Sequence, residues 1–321
     1  MTNAGFMTRL APHAGFVLVY LIWGINVASM KIGGREWDPF LFNGLRYLSL
    51  VPVFWGCTWY YYRKQGMKLS MKPAHLGLAA LIGILSGIGM EAVLSYALQF
   101  THAANGALLG RGITPIFTAL FAILLAELRL TWRLLTGIPL AFAGALVMAV
   151  SDGLHFGAET LKGDLLLLSR SLIGACYLVW MNRLMKQYPM TLLLALEMTF
   201  GALSLLTFAL PKADAQLFAA MSWEGWFSLL FTTLMATLVG FTLHNWSLGK
   251  LGPFKSSVYG YLQPLMAALA GWWFLGEQMT WNQWVGGAGV LTAMYLVQSD
   301  RMQQQNRNML PARVKDKSVK G

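Results

Sequence analysis

The sequence is poor in charge, and poorest in acid. Of its 321 residues only 12% are Asp, Glu, Lys or Arg, and 13 are acidic, whereas a soluble domain carries about 25% charged residues. Cysteine is nearly absent: Cys57 and Cys176 are the two present, and both fall inside long apolar stretches, which excludes a disulfide framework. No G-x-x-x-x-G-K-[ST] loop occurs, so the chain carries no phosphate cradle for ATP. H-E-x-x-H is missing too, no Ser/His/Asp arrangement is visible, and the five histidines are scattered. Aspartates other than Asp300 and Asp316 fall in the expected outer loops. The reading is of a protein that is not an enzyme, with no catalytic residue, cofactor or metal set.

What the chain does have is apolar length. It is 56% hydrophobic with a mean hydropathy of +0.53, and a helix needs about 20 apolar residues to cross a bilayer. Such stretches cover residues 13–32, 39–61, 75–100, 103–126, 132–151, 164–184, 190–210, 225–248, 254–275 and 281–298. The alternation of an outer-membrane strand is absent, and helices are the other way to satisfy every backbone group in lipid. The expected fold class is therefore all-α integral membrane, with ten transmembrane helices. The first stretch is long enough to span and lacks a small-x-small cleavage site, so it is read as the first helix and not as a signal peptide.

The net charge of +11 does not point to nucleic acid, because its placement follows the loops. With the N-terminus inside, 17 of the 24 Lys and Arg face the cytoplasm, including Arg63, Lys64, Lys68 and Lys72 and six in the tail after residue 300. Four (Lys31, Arg35, Lys162 and Lys212) lie on the other side, and Arg46, Arg111 and Arg170 lie within spans. That asymmetry is the positive-inside pattern, which places both termini in the cytoplasm of a multi-pass inner (plasma) membrane protein.

The two halves carry one pattern. At a single offset of 149, Pro115 aligns with Pro264, Ala119 with Ala268, Leu120 with Leu269, Thr131 with Thr280, Trp132 with Trp281 and Gly137 with Gly286. Acidic Glu127 and Glu277 follow the prolines one place out of register. An internal duplication of five helices each is expected, and since five is odd the copies are inverted. The domain reading is residues 1–12 as cytoplasmic N-terminus, 13–152 and 163–299 as the two repeats, and 300–321 as a basic tail without order that can touch anionic lipid.

These residues resemble the EamA-type branch of the drug/metabolite transporter superfamily over roughly residues 12 to 299. The resemblance rests on "WGINVASMK", "LRYL", "SYALQFTHAANGALL" with Pro115 and Glu127, and "HNWSLGKLG" with Pro264, Gly276, Glu277 and Gly286. It implies a transporter of small metabolites, often an exporter of amino acids or related compounds, with a central cavity between the repeats.

The charges inside the membrane are the candidate site. In the third span Gly83, Gly87, Glu91, Ser95, Gln99 and His102 recur every three or four residues and share a face; in the fourth, Ala107, Arg111, Thr114 and Thr118 do the same. Glu91 lies about ten residues before the connecting turn and Arg111 about nine after it, so at about 1.5 Å per residue they reach similar depth. An unpaired charge there costs at least about 2.5 kcal/mol, which predicts that Glu91 and Arg111 pair. Arg111 would then anchor an anionic group and Glu91 balance it, unless the pair is only a clamp between helices. Arg46 and Arg170 are read first as snorkelling toward the outer headgroups, and otherwise as adding positive charge to the cavity. Glu197, without an evident partner, is with Glu91 a candidate for carrying coupling protons; the plainer reading is a carboxyl bonded to Ser, Thr or backbone.

In the second half Thr233, Thr237, Gly240, His244 and Ser247 form one stripe, and Ser256, Tyr259, Gln263 and Ala267 another. Pro115 and Pro264 are the candidate hinges, each preceded by a polar residue, Thr114 or Gln263, and each removing an amide so that a carbonyl is freed. Tyr96, Trp246, Tyr259 and Tyr261 are candidate aromatic walls, with helix packing as the commoner role of such residues, and packing is also the plainer reading of His244. The expected function is secondary active export of amino acids or related carboxylates by alternating access, with protons as a possible coupling ion. A flippase for a lipid-linked substrate is the competing reading and an intramembrane enzyme the weaker one. The expected partners are the substrate and the lipid bilayer, with the protein a monomer or a homodimer.

Overall fold

The computed structural model describes residues 3–34, 36–101, 105–106, 108–124, 131–151, 156–213, 218, 220–275 and 278–309. Every regular element among them is helical. Ten rods follow in order: α1 (Asn3–Gly33), α2 (Pro39–Gln65), α3 (Pro73–Ala97), α4 (Leu108–Leu124), α5 (Trp132–Ser151), α6 (Leu161–Met185), α7 (Met190–Ala209), α8 (Trp223–Leu251), α9 (253–275) and α10 (Trp281–Met309). Of these, α3, α6, α7, α8 and residues Trp132–Val150 of α5 are long and apolar enough to cross a membrane, and α1 and α4 contain shorter apolar stretches.

Local chemistry sets the ends. Asp38 caps α2, its Oδ1 accepting from the amides of Phe40 and Leu41 at 2.9 and 3.2 Å, with Pro39 in the first turn. Gly66, at φ 63°, closes the other end in the left-handed region that a side chain disfavours. Ser222 caps α8 through the Gly225 amide at 3.1 Å. Two ends differ from expectation. α1 begins at Asn3, and α10 continues to Met309, because "DRMQQQNRNM" is rich in helix-forming Gln, Arg and Met that prolong the preceding membrane helix. The stretch 300–309, expected to lack order, is thus helical, while 310–321 lie outside the described residues.

The packing repeats when the halves are exchanged. α1 packs on α8 and α9, and its counterpart α6 packs on α3 and α4; α2 lies along α7, and α5 along α10. Five helices per half make each exchange pair oppositely directed, the inverted arrangement expected from the sequence. Glycines let the rods approach: a Cβ on Gly144 of α5 would stand 2.7 Å from the Gly286 carbonyl of α10, and one on Gly201 of α7 would stand 2.5 Å from the Tyr47 ring of α2.

The halves also share a distortion that periodicity did not predict. Leu85–Ala92 of α3 and Thr232–Val239 of α8 are π-helical, eight residues each, at corresponding places. Leu108–Gly112 of α4 is π-helical as well. Such wide turns misalign carbonyls from the helix ladder and occur often at functional sites.

Candidate functional site

The π-helical turns converge on a cavity between the halves. Its larger chamber holds about 580 Å³ counting the open mouth and is lined from both repeats, by Tyr20, Trp23, Ser86, Glu91, Arg111, Thr114, Arg170, Tyr177, His244 and Ser257 among others. A smaller chamber of about 340 Å³ is bordered by Asn26, Arg46, Thr237 and Gln263. Trp23, Glu91, Arg111 and Phe241 border both, so they form the partition between them.

Glu91 sits in the π turn of α3, but its partner is not Arg111. Arg46 Nη2 of α2 donates to Glu91 Oε2 at 2.8 Å, and Arg170 Nη2 of α6 lies 3.8 Å from Glu91 Oε1. Neither arginine snorkels: Arg46 is 1% exposed and Arg170 2%. Arg170 instead caps the carbonyls that the wide turns release. Its Nε donates to Met90 O at 2.9 Å and its Nη1 to Gly110 O, while Ser171 Oγ donates to Leu109 O. The expectations of a Glu91–Arg111 pair and of snorkelling are thus both corrected. Helical depth placed Glu91 and Arg111 level, whereas the direction of each side chain around its π turn gave Glu91 to α2 and α6.

Arg111 has no carboxylate within ion-pair distance among the described residues. Its guanidinium carbon lies 4.2 Å from the centroid of the Trp23 ring, a cation–π arrangement, and its buried Nε has no hydrogen-bond acceptor. Arg46 Nε and Arg170 Nη2 are likewise buried without an acceptor. Three guanidinium groups therefore surround one carboxylate, and donors remain unsatisfied beside the cavity. Pro115 has no amide to offer the Arg111 carbonyl, and Gly260 of α9 packs on that oxygen, where a Cβ would sit 3.4 Å away.

Glu197 of α7 stands one shell behind the larger chamber, with no exposure at all. Ser86 Oγ donates to its Oε1 at 2.6 Å and the Tyr177 hydroxyl to its Oε2 at 3.1 Å. Tyr47 hydroxyl meets Ser86 Oγ at 3.0 Å, and the Asn245 amide reaches the Tyr177 hydroxyl with Nδ2 at 3.1 Å and Oδ1 at 3.2 Å. The hydrogen-bonded reading of Glu197 is the one observed.

The remaining predicted residues divide by position. Thr114 and His244 line the larger chamber and Gln263 the smaller, with Gln263 Oε1 buried and unpartnered. His244 packs its ring 5.3 Å from Phe16 and 5.2 Å from Trp23. Tyr96 and Gln99 are exposed away from both chambers, and Tyr96 is engaged by Lys162, whose Nζ donates to its hydroxyl at 3.3 Å. Gln99 leaves the face of the α3 stripe because the π segment adds residues to each turn and shifts the face that follows it. Trp246 packs beside Gly15 of α1, and Tyr259 stacks on Phe16 at 4.8 Å and bonds His13; neither borders a chamber. Pro115 and Pro264 are both buried. His102, Ala107, Glu127, Gly276 and Glu277 lie outside the described residues.

Sequence reasoning missed Tyr20, Trp23, Ser86, Tyr177 and Phe241. A signal existed for two of them: Phe16, Tyr20, Trp23 and Asn26 recur at helical spacing on one face of α1.

The sequence signature of the EamA-like transporter family matches residues 12–150 and again 161–299. Over 288 residues the chain is 27% identical to an uncharacterized transporter, YoaV, of Bacillus subtilis, covering 88% of this chain and 94% of that one. It is 26% identical over 292 residues to a probable amino-acid metabolite efflux pump of Salmonella typhimurium, covering 87% and 92%. A solved crystal structure superposes with a TM-score of 0.71 at 18% identity, over 90% of this chain and 96% of that chain.

Proposed function

This chain belongs to the EamA-like transporter family, and we propose that it is a secondary active exporter of small metabolites bearing a carboxylate, amino acids or related acids. The single observation that carries the reading is Arg111: a half-buried guanidinium with its Nε fully buried, bordering both chambers, stacked on Trp23 and without an acid partner among the described residues. A carboxylate entering the cavity satisfies that donor set, and water-poor surroundings strengthen the attraction. Glu91 serves to hold Arg46 and Arg170 in place, so the surplus positive charge is Arg111's to offer. Tyr20, Trp23, Thr114, His244 and Gln263 shape the remaining walls, and Pro115 and Pro264 act as the hinges on which the chambers open alternately. Both termini face the cytoplasm of the inner membrane in this reading, as the distribution of Lys and Arg supports.

The competing flippase reading needs a polar slot facing lipid, and the chamber drawn from α1, α3, α4, α6, α8 and α9 favours a central path instead. The test is efflux from proteoliposomes loaded in turn with radiolabelled L-glutamate, L-phenylalanine, succinate and choline. Efflux of at least one carboxylate, none of choline, and loss of that efflux in Arg111→Ala is the expected result. Choline transport, or carboxylate efflux that ignores Arg111→Ala, overturns it.

A further inference from the structure

We propose that Glu197 is a proton-holding site serving the cavity, opened to it through Ser86 and Tyr177. The inference rests on the export reading only for its physiological use; the site itself follows from the hydrogen bonding. Burial of a carboxylate without a compensating cation is costly, and a buried group of this kind is stable either neutral or fully bonded. Glu197 is completely buried, and no Lys, Arg or His lies within ion-pair distance of it among the described residues. Glu91, by contrast, is held by Arg46 and faces Arg170, so of the two acids only Glu197 is placed to gain and lose a proton.

The network around Glu197 has two complete hydrogen assignments with the same heavy-atom positions. In the first, Asn245 Nδ2 donates to the Tyr177 oxygen at 3.1 Å, and the Tyr177 hydroxyl donates to an ionised Glu197 Oε2 at 3.1 Å. In the second, the Glu197 Oε2–H donates to the Tyr177 oxygen, and the Tyr177 hydrogen turns to Asn245 Oδ1 at 3.2 Å. One rotation of a hydroxyl, and no movement of a helix, thus accommodates either state. On the other oxygen, Ser86 Oγ is 2.6 Å from Oε1 and borders the larger chamber, as Tyr177 does. A proton leaves from the neutral form that carries it on Oε1: with the Ser86 hydrogen turned to the chamber, the Oε1–H bond breaks as a new O–H forms on Ser86 Oγ, the hydrogen Ser86 held passes to a water or a substrate carboxylate there, and the Tyr177 hydroxyl donates to the ionised Oε2.

The groups facing Glu197 from each packed element are few. α2 presents Tyr47, α3 presents Ser86 and the clamped Glu91, α6 presents Tyr177, and α8 presents Asn245. The charge of Glu91 disfavours a second ionised acid nearby, and the others are neutral donors or acceptors. A negative charge on Glu197 would also lower the surplus positive charge of the cavity, so loss of its proton and capture of a carboxylate both add negative charge to the same field and oppose each other.

The experiment is infrared spectroscopy of the full-length protein in lipid bilayers, titrated from acid to alkaline pH, with no substrate added. The wild type is expected to show the carbonyl stretch of a protonated carboxylic acid at neutral pH. That band is expected to vanish in Glu197→Gln, to shift in Tyr177→Phe, and to persist in Glu91→Gln and Arg111→Ala. A band that survives Glu197→Gln, or a wild type without one at neutral pH, overturns the proposal. Transfer to heavy water is expected to shift the band promptly in wild type, and a band that resists exchange overturns the opening to the cavity. Because Arg111→Ala is expected to lose export and keep the band, failure of the export reading and failure of this site are told apart.

Discussion

Arg46 Nη2 lies 2.8 Å from Glu91 Oε2, so the acid of α3 is bound to the helix before it in sequence and not to the arginine of the helix that follows. This pairing leaves Arg111 to Trp23 and separates the charge that holds helices together from the charge that is offered to the cavity.

Removing one partner of the buried pair strands the other. Arg46→Met is expected to destabilise the protein by about 3–5 kcal/mol, read as a lowered midpoint of thermal unfolding in detergent. The double variant Arg46→Met with Glu91→Met is expected to recover part of that loss. A single variant as stable as wild type would show that Arg170 alone suffices to hold Glu91.

Among the described residues Arg111 has no acid to strand, so its loss is expected to be mild for stability and severe for transport. Arg111→Ala forfeits the stacking on Trp23, about 0.5–2 kcal/mol, while carboxylate efflux falls to the background of empty vesicles. Thermal unfolding and efflux measured on one preparation check both halves of the statement.

The contact between the last helices of the two repeats is closed by Gly144 and Gly286. A side chain on Gly144 would meet the Gly286 carbonyl at 2.7 Å and the Val290 amide at 2.9 Å, both backbone atoms that cannot turn aside. Gly144→Leu is expected to cost about 1–3 kcal/mol by overpacking, seen as a lower yield of folded protein in gel filtration. Gly56→Leu, where a Cβ meets nothing within 4 Å, is the matched control.

Outside the membrane, Glu36 joins the α1–α2 connection to the start of α8. Its Oε1 accepts from the Ser222 hydroxyl at 2.6 Å and its Oε2 from the Ser222 amide at 2.9 Å, and these bonds hold its carboxyl below the usual value of 4.5. A lowered value in the folded state means that the contact is fully present above about 4.5 and is lost as pH falls through the lower folded value. Protection of the Ser222 amide from hydrogen exchange, taken relative to its intrinsic rate at each pH, is therefore expected to fall below that range in wild type and to be low at every pH in Glu36→Ala. Equal exchange in the two proteins at neutral pH would count against the contact.

Tyr96 and Gln99 provide a negative control. Gln99 was read from the α3 stripe and Tyr96 as an aromatic wall of the cavity, and both face outward. Gln99→Ala is expected to leave efflux unchanged in the assay that Arg111→Ala abolishes.

The reason for that misreading also shows what kind of information the chain carried locally. Ten helical rods, the repeat centred on Pro115 and Pro264, and the presence of charge in the membrane were legible, because apolar length, fixed offsets and proline are properties of neighbours along the chain. The α3 stripe drawn at helical spacing held as far as Glu91 and then failed at Gln99, because Leu85–Ala92 winds with wider turns.

By itself the sequence determined that the protein lives among lipids, that it is built twice over in opposite directions, and that arginine and glutamate must be sheltered inside. Only the tertiary structure decided who shelters whom: Glu91 with Arg46 and Arg170, Arg111 with Trp23, Glu197 with Ser86 and Tyr177. The physical reason is that burial is demanded residue by residue through solvation, whereas a partner is chosen by the direction of side chains on helices far apart in the chain. Those directions depend on π turns and glycine contacts that leave no periodic mark.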